Sequence, residues 1–228
     1  MFCVVDLETT GTNPSTSAIL TGTFLILNES LTIVANKRIQ CRPWKWTDEA
    51  DQASYVHGIT KEMTEDWPLF SDIAHDLIRF FLDHQCRYFV CHAKRDAFGR
   101  MVTFDHAFLK MALFPTDLYW DFLQIFPEKK IISTHSLASY FQSDYDFEKK
   151  DLKSVARSLG VTLTNHHDDR DDAFACYEIF KKLYPRIDLN EFLDQDFYKL
   201  GGNNEDTEKT GRGNPKKSIR LQDSTRIF

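Results

Sequence analysis

The chain has 228 residues, 42% of them hydrophobic and 27% charged, with a formal net charge of −6. This is ordinary globular composition with enough chain for one sizeable core. No stretch approaches 18 apolar residues, which excludes a membrane-spanning helix on length, and the acidic balance argues against a uniformly basic nucleic-acid surface.

The opening residues, MFCVVDLETTG, lack the basic segment and long apolar run of a signal peptide and read as a core strand. Five scattered cysteines (Cys3, Cys41, Cys86, Cys91, Cys176) form no CxxC pair. They are expected to be reduced thiols of a cytoplasmic or otherwise intracellular protein.

Strands are expected at 2–7, 19–27 and 31–41, the last two joined by a tight turn at Asn28-Glu29-Ser30. After the break at Arg42 to Trp46, residues 49–56 suit one or two helical turns. Residues 69–82 carry Phe70, Ile73, Leu77, Phe80 and Phe81 at helical spacing. A strand at 87–91 ends at His92, and a polar excursion leads into a helix over 105–113. The stretch 114–150 is mixed, with a short strand at Ile131-Ile132 and a helix over 135–141. A helix over 151–159 closes at Gly160, and helical patterns follow at 168–184 and 188–200. From Gly201 the composition turns polar, which marks 201–228 as a flexible, partly basic tail on a domain spanning 1–200. Three antiparallel strands followed by interleaved helices and strands predict an α/β domain with helices packed on a mixed central sheet.

Chemistry concentrates at three stations. Asp6 and Glu8 are two apart on a strand, so both side chains face the same way. Paired carboxylates suit Mg²⁺ or Mn²⁺, while a solvated acid pair at a strand end is the plainer reading. Asp105 heads a helix, where it is either an outward-aimed ligand or a simple helix cap. His166-His167-Asp168-Asp169-Arg170-Asp171-Asp172 opens another helix. There Asp172 faces the domain, and His167 is suited to take a proton near neutral pH. The remaining acids match the first-turn preference for negative charge.

Asp-Leu-Glu-Thr-Thr-Gly, Val56-His57-Gly58-Ile59-Thr60, Phe104-Asp105 with Phe108-Leu109, and His167 to Asp172-Ala173 stand in this order over residues 2–184. The set resembles the DnaQ-like (DEDDh) 3′–5′ exonuclease superfamily, including its proofreading domains. The resemblance implies a ribonuclease H-like fold in which Asp6, Glu8, Asp105 and Asp172 hold two Mg²⁺ or Mn²⁺ ions and His167 accepts a proton. It implies hydrolysis of single-stranded or frayed DNA from the 3′ end to nucleoside 5′-monophosphates. An RNA 3′ exonuclease or oligoribonuclease is the alternative, and a non-catalytic nucleic-acid or replication-protein binding module a further one.

The sequence departs from the family pattern in three places. Leu20 to Thr23 stands where the family often carries an acid. An excursion separates His92-Ala93 from Asp105 and makes Asp96 a rival third acid. Residues 141–151 are an elaboration of unassigned use. Substrate contacts are expected from Thr9, Thr10 and Gly11 in the first turn, from His57 and Ile59, and from Lys94 and Arg95, with Phe98, Arg100, Phe108 and the Trp44-Lys45-Trp46 triplet as weaker candidates. The tail, with six basic residues ending in Arg226-Ile227-Phe228, reads as a strand-holding arm, a docking peptide for a replication protein, or a solubilising end.

Overall fold

A computed structural model describes residues 1–95, 101–145 and 147–198. Asp96, Phe98, Arg100 and the tail over 201–228 lie outside the described residues.

Strands β1 (Phe2–Thr9), β2 (Ile19–Leu27) and β3 (Ile33–Gln40) form an antiparallel meander, and β4 (Tyr88–Cys91) continues the sheet parallel to β1. A further short strand at Ile131–Ser133 pairs parallel to β4, giving the order β3-β2-β1-β4 and then this edge strand. Between them the excursion before Asp105 begins and ends in a two-residue ladder, β5 (Lys94–Arg95) against β6 (Met101–Val102), so the edge strand is β7. The mixed sheet with three antiparallel leading strands is the expected ribonuclease H-like arrangement.

Strand alternation sends side chains of β1 into two separate cores. Phe2 and Val4 join Leu25, Leu27 and Val90 on one face, beneath α5 (Thr134–Tyr140), α6 (Leu152–Ser158) and α7 (Asp169–Leu183). Cys3, Val5 and Leu7 join Phe24, Ile26 and Phe89 on the other, beneath α2 (Phe70–Asp83), α3 (Phe104–Leu113) and α4 (Leu118–Ile125). That second core holds a cluster of phenylalanine rings. Phe81, Phe89 and Phe122 each present an edge or face to Phe126 at centroid separations of 5.1–5.7 Å, within the range where ring quadrupoles attract.

Helix α4 lies in the stretch read as mixed. Its buried residues Leu118, Phe122 and Ile125 recur at i, i+4 and i+7, but eight residues between Thr116 and Pro127 give a weak periodic signal. The remaining helices are α1 (Asp48–His57), capped by Thr47 and closed by Gly58 at φ 76°, and α8 (Leu189–Tyr198). All five cysteines are free and buried.

Candidate active site

The face of β1 that buries Phe2 and Val4 continues to Asp6 and Glu8, just past the end of the apolar cover. The N-terminal turn of α7 arrives above them. Donor oxygens of Asp6, Glu8 and Asp172 lie within 4.8 Å of one another. Asp172 is held there by two neighbours: the His167 N–H donates to its Oδ2 at 3.0 Å, and His166 Nδ1 lies 3.0 Å from its Oδ1. Residue His167 has φ 73°, a left-handed conformation that turns its backbone N–H back toward the helix.

Asp105 comes from the opposite layer. It is buried rather than aimed outward, because its Oδ1 accepts the Leu7 N–H at 3.1 Å and so reaches back to β1 between the two paired acids. Its neighbours Phe108 and Leu109 are core residues, which removes Phe108 from the substrate candidates.

The electrostatics follow from crowding acids in a poorly solvated site. Burial, then the charges of Asp105 and Asp172, raises the Asp6 carboxyl well above its ordinary value. Burial followed by Asp172 and Asp169 pushes Glu8 up to about 9, and burial raises Asp105 to about 7. A cluster that resists full ionisation on its own becomes fully charged when a cation lies between the oxygens. Its hard oxygen donors fit Mg²⁺ or Mn²⁺. Nitrogen and oxygen donors of His166, His167 and Asp172 also lie within 4.8 Å. The two imidazoles, however, stack at 3.9 Å and 21°, so their lone pairs run side by side rather than converging as ligands would.

A cleft of about 240 Å³ opens beside the acids, lined by Glu8, Arg38, Gln40, His57, Ile59, Trp67 and His167 among others. Two larger cavities among the described residues, about 750 and 430 Å³, hold none of the clustered acids. His57 is fixed in one tautomer: its Nδ1 accepts the Ile59 N–H at 3.0 Å, leaving Nε2–H to donate to Thr9 O at 3.3 Å. Burial, aided by the nearby His167, lowers its pKa and keeps it neutral.

The turn residues are largely occupied in folding. Thr9 Oγ1 donates to Gly11 O at 2.6 Å, and Thr10 Oγ1 accepts from Ala18 N at 2.8 Å. A side chain at Gly11 would land on the Glu49 carboxylate, which holds Thr12 N at 3.0 Å. The hydroxyls of Thr9 and Thr10 therefore shape the turn. Trp46 is likewise engaged with Asp51 at 2.6 Å, whereas Trp44 is exposed. Lys94 and Arg95 fall on β5 at the mouth of the excursion.

The residues 3–180 match the RNase_T exonuclease family. The chain belongs to this family. Its fold is that of the DEDDh, ribonuclease H-like exonucleases. E. coli Exonuclease I in complex with a dA16 oligonucleotide superposes with a TM-score of 0.66 at 15% identity, covering 86% of this chain and 43% of that one. The nuclease domain of 3′hExo, a DEDDh family member bound to rAMP, gives 0.60 at 17% identity, covering 81% and 92%. A third structure, a 3′-exonuclease recognising the histone mRNA stem-loop, gives 0.60 at 16% identity and covers 81% of each chain. The chain thus spans less than half the length of the Exonuclease I structures it matches. A search of curated proteins returned no match.

Five groups near the acids escaped sequence reasoning. His166, read only as part of the helix-opening run, sets its Nδ1 3.0 Å from Asp172 Oδ1. Asp169, read as a first-turn charge, is buried and bonded to Thr21, Thr23 and Arg38. The signal was present in β2, an otherwise apolar strand with hydroxyls at alternate positions. The departure at Leu20 to Thr23 is thereby filled: the strand supplies donors to an acid carried by α7.

Proposed function

We propose that this chain is a divalent-metal-dependent 3′–5′ exonuclease that hydrolyses single-stranded or frayed DNA to nucleoside 5′-monophosphates. The observation that carries the reading is the convergence of Asp6, Glu8 and Asp172 within 4.8 Å, with Asp105 bonded to the backbone between the first two. These four acids would hold two Mg²⁺ or Mn²⁺ ions, which when bound supply charge stabilisation at the scissile phosphate and a more acidic water. His167, exposed at the rim of the cleft beside Asp172, takes the proton of the attacking water. The new P–O bond forms as the bond to the 3′ oxygen breaks, and the shortened strand keeps a 3′ hydroxyl. His57 and Ile59, which line the same cleft as His167, seat the terminal nucleotide.

RNA is the second reading, favoured by the near-complete coverage of the nuclease domain bound to rAMP. Matched DNA and RNA oligonucleotides labelled at the 5′ end, incubated with Mn²⁺, decide between them. A ladder shortening from the 3′ end on one sugar is expected, lost in Asp6→Ala and Glu8→Ala. Equal trace cleavage by wild type and variants would sink the enzymatic reading. Deleting residues 203–228 tests the tail: slower decay of long substrates supports a strand-holding arm, and loss of a replication-protein contact supports a docking peptide.

A further inference from the structure

The Asp169 carboxylate accepts four directional hydrogen bonds. Thr21 Oγ1 and Arg38 Nη2 reach Oδ1, both at 2.8 Å, and Thr23 Oγ1 at 2.6 Å and Arg38 Nε at 3.1 Å reach Oδ2. The arginine contact is a two-point fork. Asp169 is 1% exposed, while the Arg38 side chain is 33% exposed and forms part of the cleft wall.

Sheet register ties this anchor to the acids. Asp6 sits opposite Thr23, which sits opposite Arg38; Glu8 sits opposite Thr21, which sits opposite Gln40. Paired residues on neighbouring strands share a face. The anchor of α7 and the acids of β1 therefore occupy the same two rows of the sheet. Asp169 and Asp172 are three apart on α7 and stand on one side of it. The helix body is held by Ala173, Cys176 and Phe180, but apolar contact is non-directional and leaves small rotations and slides cheap. A buried ion pair is also a weak source of stability, so its stability contribution does not explain why it is here.

We propose that Arg38 and Asp169 are positioning residues: their pair fixes the first turn of α7 on β2 and β3 and so holds Asp172 and His167 opposite Asp6 and Glu8. This rests on the metal-dependent reading above. The test is Mn²⁺ binding by calorimetry on the full chain, together with the Mn²⁺ concentration for half-maximal cleavage. The apolar pair Arg38→Met with Asp169→Leu is expected to fold yet bind Mn²⁺ about tenfold or more weakly, the usual scale for outer-shell partners. Asp169→Asn, nearly isosteric, is the second variant should the apolar pair not fold. Arg38→Lys, which keeps charge without the fork, should recover part of the loss. Tyr177→Phe is the control, since it removes another α7 anchor, the bond to Leu31 O at 3.1 Å. It is expected to lower the melting temperature without moving Mn²⁺ binding. Variants that bind Mn²⁺ as tightly as wild type overturn the inference alone. A wild type that neither binds Mn²⁺ nor cleaves overturns the proposed function and this inference with it.

Discussion

Glu8 carries a large electrostatic cost. Its carboxyl is pushed up to about 9 by burial and by the neighbouring acids, with Asp6 and Asp105 raised alongside it. In the unfolded chain such groups titrate near 4. Between about pH 4 and pH 9 the folded protein therefore holds more protons than the unfolded one, and stability falls as pH rises through that window. Calorimetric melting in a chelator should show a decline from about pH 5 to about pH 9, and Glu8→Gln should flatten it. Gly58 makes a second residue-scale prediction. It closes α1 at φ 76° with open space where a Cβ would stand, so Gly58→Ala costs only the left-handed conformation, about 1–2 kcal/mol. Because the adjacent His57 and Ile59 line the cleft, the same variant should raise KM for oligonucleotides more than it lowers kcat.

Elements were legible in the sequence in proportion to their length and to the purity of their period. β1 and β2 are apolar runs bounded by turn residues, α2 and α7 carry clear helical spacing, and all four were readable within a residue or two. α4 was not, because two turns between breakers supply too few repeats. The acids Asp6, Glu8, Asp105 and Asp172 were readable as an ordered motif. The anchor at Asp169 was not, because what distinguishes it from a solvated first-turn acid is the cross-strand neighbourhood of Thr21, Thr23 and Arg38, residues 131 to 148 positions away. The segment 141–151 gains a role only in three dimensions. His92 lies 2.8 Å from Thr134 Oγ1 and 2.9 Å from Lys150 O, tying the end of β4 to α5 and to this segment. His92→Ala should leave the sheet intact but speed proteolytic cleavage between 142 and 150, read by limited digestion and mass spectrometry; unchanged digestion would show that the tie is idle.

At the scale of the whole molecule, two cores on opposite faces of one sheet converge on a single charged end. α7 brings Asp172 over one face, α3 brings Asp105 around from the other, and β1 runs between them. The sheet is thus the common reference for groups that no one layer could assemble. A cation bound at that end joins both layers, so its effect on stability should be global. At a hundredfold excess over its Kd, Mn²⁺ should add about 2.7 kcal/mol, or roughly 5–10 °C in melting temperature for a domain of this size. Asp6→Asn and Asp172→Asn should lose most of that gain, measured side by side with and without chelator.

The left-handed backbone at His167 bears on how a substrate complex could be captured. The residue gives its N–H to Asp172 in that conformation, so the replacement chosen for its imidazole bears on whether the acid beside it stays in place. Asparagine tolerates positive φ, whereas a β-branched residue resists it. His167→Asn should therefore bind Mn²⁺ like wild type while stalling on intact oligonucleotide, whereas His167→Val should lose both. An Asn variant would be the form in which to freeze the strand before it is cut.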